Sequence, residues 1–119
     1  MGGEQTGWAC PDNLALDKRG NLWMTTDMAI GKEQYVAFAN NSLFYIPLEG
    51  AYAGKSFRVA SGPIGCELTG PSFSANGETL FLSVQHPGEG TKSLDAPRSR
   101  WPDGESPKSA VLAIQGPKL

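Results

Sequence analysis

One pattern runs twice along this chain. Leu14-Ala15-Leu16-Asp17 leads into a turn closed by Gly20, and Leu22-Trp23-Met24-Thr25-Thr26 follows. Later, Pro71-Ser72-Phe73-Ser74 leads into Ala75-Asn76-Gly77, and Thr79-Leu80-Phe81-Leu82-Ser83-Val84-Gln85 follows. Setting Gly20 against Gly77 gives a repeat of 57 residues, with one residue inserted after Gly77 before Leu22-Trp23 meets Leu80-Phe81. A short strand, a turn of the Asp/Asn-x-Gly kind and a second apolar strand form the inner half of a four-stranded propeller blade. Such blades recur at roughly 40–50 residues, and loop insertions lengthen them. The pattern predicts an all-β chain of two antiparallel β-propeller blades.

The rest of the sequence fills in those blades. Leu43–Leu48 and Lys55–Ala60 read as the outer strands of the first, with Pro47 marking an edge or bulge because it lacks an N–H. Residues 29–40 are interrupted by Gly31 and mix β-branched with aromatic side chains, so they read as a loop. The 15 glycines and 9 prolines suit many short strands joined by tight turns. The first blade is expected over 1–64 and the second over 65–119. The second contains a polar loop, 86–109, long enough to be functional or disordered. Only Ala110–Ile114 follows it, so the second blade lacks its fourth strand. At least six strands are expected, with Trp23 and Phe81 in matching core positions.

Two blades cannot close a ring, and open sheets leave edges that invite association. The chain therefore reads as the C-terminal part of a longer propeller or as one protomer of a homo-oligomer, a symmetric dimer being the simplest. A net charge of −2 gives no basis for binding nucleic acid. The apolar runs are strand-sized, so no membrane-spanning helix is expected. Met1–Gly7 has neither a basic nor an apolar region and is not a signal peptide.

The candidate chemistry sits where each inner strand begins. Asp12 and Asn13 precede the first, and Glu67 precedes the second. In a propeller those positions converge on one mouth of the central channel. Carboxylate and amide oxygens gathered there suit calcium, which takes about six to eight oxygen ligands. The plainer readings are a turn at Asp12-Asn13 and a solvated acid at Glu67. His86, the one histidine, follows Gln85 at a strand end, where a structural or exposed role is commoner than a catalytic one. Cys10 and Cys66 fall one residue apart in the repeat, leaving metal ligation, a disulfide or buried free thiols open; packing favours free thiols. No nucleophile elbow and no Walker-type phosphate loop is present. Asn40-Asn41-Ser42 matches a glycosylation sequon.

Taken together, several of these segments resemble the PhoX-type bacterial alkaline phosphatases. They are Cys10-Pro11-Asp12-Asn13-Leu14-Ala15, Gly20-Asn21-Leu22-Trp23-Met24-Thr25-Thr26-Asp27, Glu67-Leu68-Thr69-Gly70-Pro71-Ser72-Phe73 and the run from Gly77 to Glu89. Trp101-Pro102-Asp103-Gly104 and Ser109–Ile114 resemble that family's closing stretch. The resemblance implies an exported, periplasmic or secreted propeller that hydrolyses phosphate monoesters with calcium and iron. By it, Asp12 and Glu67 are metal ligands, Asn13 a neighbouring oxygen donor, and Gln85 and His86 channel or loop residues. Family members are several times longer, so this part alone is expected to be inactive, with iron bound only in the complete protein. The alternatives are a non-enzymatic two-blade binding module that oligomerises and a fragment of a calcium-dependent, lactonase-like propeller.

Overall fold

The computed structural model describes residues 7–116; residues 1–6, most of the N-terminal stretch that does not read as a signal peptide, lie outside them. Seven strands form among the described residues: β1 (Pro11–Leu16), β2 (Leu22–Thr26), β3 (Ser42–Ile46), β4 (Phe57–Ser61), β5 (Glu67–Phe73), β6 (Thr79–Gln85) and β7 (Ala110–Gln115). They make a four-stranded sheet in the order β1-β2-β3-β4 and a three-stranded sheet in the order β5-β6-β7. All pairs are antiparallel. Among the described residues this is a two-blade partial propeller whose second blade has three strands, one fewer than the first. β3 stops at Ile46, immediately before Pro47, whose missing N–H ends the ladder.

The repeat is visible in the backbone. Gly20 N–H donates to the Asp17 carbonyl at 3.0 Å, and Gly77 N–H donates to the Ser74 carbonyl at 2.8 Å. Both glycines take a positive φ, +80° and +73°, which an L side chain enters only with strain. In the first turn the Asp17 carboxylate gathers the N–H groups of Arg19 (2.8 Å) and Asn21 (2.9 Å) and the Trp23 indole N–H (3.2 Å). In the second turn Ser74 Oγ accepts only the Thr79 N–H, at 3.0 Å. The two turns also touch: a Cβ on Gly77 would lie 2.6 Å from Lys18 Cδ.

The core lies between the sheets. Trp23 and Leu43 from the first pack with Leu68, Leu80, Leu82 and Val84 from the second, and Cys66 joins them. The Trp23 ring meets Tyr45 at 5.2 Å and the edge of Phe73 at 5.7 Å. Phe81 corrects the expectation of matching core positions. It aligns with Trp23 in the ladder, since Trp23 pairs with Ala15 and Phe81 with Ser72, its repeat equivalent. Yet Trp23 is 5% exposed and Phe81 40%. The reason is the stacking sense: successive sheets pack front to back, so the face that the first turns toward the second is the face that the second turns outward. Leu80 and Leu82, one residue either side of Phe81, carry the core instead.

Residues 29–40 also differ from expectation. Glu33–Phe38 forms a 3₁₀ helix, begun by Tyr35 N–H to the Lys32 carbonyl at 3.0 Å. None of its residues is buried, so it carries no apolar stripe for a periodicity argument to find. Its Phe38 carbonyl accepts from Arg58 Nη2 at 3.1 Å, and the Arg58 guanidinium lies 5.6 Å from the Phe44 ring centre. The loop 86–109 has no regular strand or helix, but Trp101 packs against the core and Lys108 Nζ holds Asp103 at 2.6 Å.

Partial burial raises the Asp17 carboxyl, but hydrogen bonds from Asn21, Trp23 and Arg19 outweigh it and leave the group below 3.8. A lowered folded pKa contributes stability above the unfolded value, and that share is lost as pH falls through the folded one. The expected result is a wild-type melting temperature that drops below about pH 4, with a smaller drop in Asp17→Asn. Identical acid profiles for the two proteins would contradict the role given to Asp17.

Candidate functional site

Each inner strand carries a bulge near its start. In β1 the register slips between Pro11 and Leu14, and in β5 between Thr69 and Ser72. A bulge inserts one residue and re-aims its side chains, and here the re-aimed residues include Asp12 and Asn13. Asn13 turns toward β5. Its Oδ1 accepts the Gly70 N–H at 2.7 Å and the Thr69 hydroxyl, while its own N–H donates to Thr25 Oγ1 at 3.3 Å. Asn13 thus ties the start of one sheet to the start of the next. Its carbonyl oxygen is taken up by protein donors, which leaves the Asp12 carboxylate as the freer oxygen donor on β1. Asp12 is exposed, and its carboxylate has no hydrogen-bond or ion-pair partner among the described residues.

Glu67 opens β5, two residues before Thr69, and the bonds of Asn13 to Thr69 and Gly70 set it at the same end of the two neighbouring inner strands as Asp12. Its carboxylate is largely enclosed, with 18% of the side chain exposed, and Oε2 lies 3.5 Å from His86 Nε2. His86 follows the end of β6 with φ +34°, and its N–H donates to Ser109 Oγ at 3.0 Å. Its Nδ1 lies 3.9 Å from Glu89 Oε2. The ladder places Glu67 opposite Gln85, which accounts for the meeting of Glu67 and His86 across the strand pair. Gln85 itself is exposed. No group of three or more His, Cys, Asp or Glu side chains able to hold a metal occurs among the described residues. The oxygen donors suit a hard cation in kind but fall short in number.

The cysteines are free. Cys66 is buried, and desolvation, reinforced by the Glu67 charge, pushes its thiol up to about 11. At neutral pH it is a packed, protonated thiol. Cys10 is half-buried and adjoins the Tyr35 hydroxyl, a hydrogen bond that raises the phenol above 10.

Asn41 is the residue whose weight sequence reading missed. Buried at 6% exposure, its Oδ1 accepts the Met28 N–H (2.6 Å) and the Thr26 hydroxyl (3.1 Å). Its Nδ2 donates to the carbonyls of Cys66 (2.9 Å) and Met28 (3.3 Å). These bonds hold the end of β2 to the start of β5. The sequon acceptor, Asn40, is half-buried with Nδ2 bonded to the Gly62 carbonyl at 2.9 Å.

The sequence model of the family described as "Alkaline phosphatase PhoX" matches residues 3–88. The chain belongs to the PhoX family. Among solved structures it is similar to Pseudomonas fluorescens PhoX in complex with vanadate, a transition state analogue, at 37% identity and a TM-score of 0.68. That match covers 88% of this chain and 17% of the Pseudomonas fluorescens chain, so the present chain spans only a small part of that PhoX's length. None of the curated protein sequences matches it. The family match favours PhoX kinship over the lactonase-like alternative.

Proposed function

We propose that this chain forms two adjoining blades of a metal-dependent phosphate monoester hydrolase of the PhoX kind and hydrolyses no monoester by itself. Membership of the family, over a part equal to 17% of a solved relative, carries this reading. The residues assigned to metal are Asp12 and Glu67, with Asn13 beside them. Calcium is the cation their oxygens suit, and iron belongs to the complete protein. A bound cation at this mouth would polarise a phosphoryl group and activate an oxygen nucleophile. The chain's own contribution is positional. The β1 bulge presents Asp12, the Asn13 tie to β5 fixes its distance from the second blade, and His86 orients Glu67. Further ligands must come from residues outside this pair. By family, the place of action is the periplasm or the cell exterior.

Two carboxylates short of a full shell bind calcium weakly. Calorimetry is expected to show a calcium dissociation constant on the order of 10⁻³ M or weaker, lost in Asp12→Ala, and no turnover of p-nitrophenyl phosphate with calcium and iron added. An unchanged titration in Asp12→Ala would remove the metal assignment. Turnover by the chain alone would remove the need for completion.

The open faces support association as a second property. Leu14 and Leu16, each 61% exposed, stand on the outer face of the first sheet, and Phe81 and Val111, 40% and 69% exposed, on that of the second. Front-to-back stacking makes these faces repeat equivalents of the two that already pack, so a second copy can continue the stack. Burial of apolar surface yields roughly 25 cal/mol per Å². Light scattering at micromolar concentration is expected to give a mass above 12.6 kDa, reduced by Phe81→Asp. A monodisperse monomer with a cooperative melt would contradict it.

A further inference from the structure

A cleft of about 170 Å³ opens beside the inner-strand ends, between residues 28–32, the 3₁₀ helix and the turn that precedes β5. Met28, Ile30, Val36 and Ile64 form the apolar part of its lining, beside the polar Tyr35, Asn40 and Asn41. Among the described residues, its charged lining residues are Lys32 and Arg98, and no carboxylate lines it. Among the described residues, neither the Lys32 ammonium nor the Arg98 guanidinium has an ion-pair or hydrogen-bond partner. Two uncompensated cations above an apolar lining are complementary to an anion with an apolar body.

The position of Arg98 is built by the fold. It reaches the cleft from the long loop, where its N–H donates to Thr91 Oγ1 at 3.1 Å. Its guanidinium lies over Gly90: a Cβ there would come within 2.9 Å of Nη1, and Gly90 has φ +78°. The opposite wall is fitted as closely. A Cβ on Gly65 would lie 3.2 Å from Ile30 Cδ1 and 2.9 Å from the Glu89 backbone nitrogen. Three of the four Asn41 bonds hold Met28 and Cys66, both lining residues, in fixed relation. The long polar loop therefore carries a cation to a cleft with an apolar side.

We infer that this cleft binds a small organic anion. Its oxyanion head, phosphate or carboxylate, lies between Lys32 and Arg98, and its apolar body lies on Met28, Ile30, Val36 and Ile64. The guanidinium offers a planar fork to such a head, and the ammonium adds a point charge. Both cations are solvent-exposed, so the affinity falls as salt rises. The site uses neither Asp12 nor Glu67 and goes beyond the metal reading.

Calorimetric titration of the full chain in EDTA tests it, with phenylphosphonate, benzoate, inorganic phosphate and benzyl alcohol as probes. At least one organic anion is expected to bind about tenfold more tightly than inorganic phosphate, with no binding of benzyl alcohol. Preference for phenylphosphonate over benzoate identifies a phosphate head, and the reverse a carboxylate head. Arg98→Gln and Lys32→Gln are each expected to weaken binding about fivefold or more, and Arg19→Gln, on the distant turn, to leave it unchanged. Because both cations are exposed, their variants should melt like the wild type. Equal affinity for inorganic phosphate and both organic anions overturns the proposal, as does binding indifferent to Arg98→Gln. Binding that vanishes in EDTA and returns with calcium also overturns it, while leaving the metal reading standing.

Discussion

The contact between the two sheets is the interaction on which everything else depends. A single antiparallel sheet has an apolar face to bury and no means to bury it alone. Here Trp23 and Leu43 supply one side, and Leu68, Leu80, Leu82 and Val84 the other. The Trp23 indole also donates to Asp17, so the ring that fills the interface is anchored to the turn that makes its own hairpin. Once the sheets are stacked, β1 and β5 lie side by side. Only then can Asn13 reach Thr69 and Gly70, and only then do Asp12 and Glu67 stand at one end of the molecule.

Front-to-back stacking has consequences at both outer faces. The rule that buries Trp23 leaves Phe81 exposed, because equivalent residues point the same way along the stack. An outward aromatic on one sheet and outward leucines on the other are what two inner blades of a larger ring would present. On the first sheet the outer face is partly covered, since Arg58 lies over Phe44 and is bonded to the 3₁₀ helix. Leu14 and Leu16, nearer the inner edge, stay open.

Much of the fold was legible because it is periodic. Glycines at positive φ, matched turns and alternating apolar strands are local signals, and Gly20 and Gly77 mark them plainly. The inside–outside sense of Phe81 was not legible, since it depends on which face of each sheet meets the other. The 3₁₀ helix left no trace because it buries nothing. At the site, the end of the strands on which Asp12, Asn13 and Glu67 stand could be read from their place in the repeat. The engagement of Asn13 Oδ1, the reach of His86 to Glu67 and the four bonds of Asn41 could not, because each joins residues brought together only by the stacking. Asn41 looked like the middle of a sequon, and nothing local distinguishes a buried amide from an exposed one.

The central claim is that the repeats pack as successive blades with Trp23 against the edge of Phe73. A double-mutant cycle with Trp23→Leu and Phe73→Leu, read by chemical denaturation, measures that contact apart from the area each side chain buries. The predicted coupling is about 0.5–1.5 kcal/mol, the range for aromatic pairs in edge-to-face contact. Losses that add with no coupling would mean that the two rings do not meet, and the stacked-blade arrangement would be contradicted.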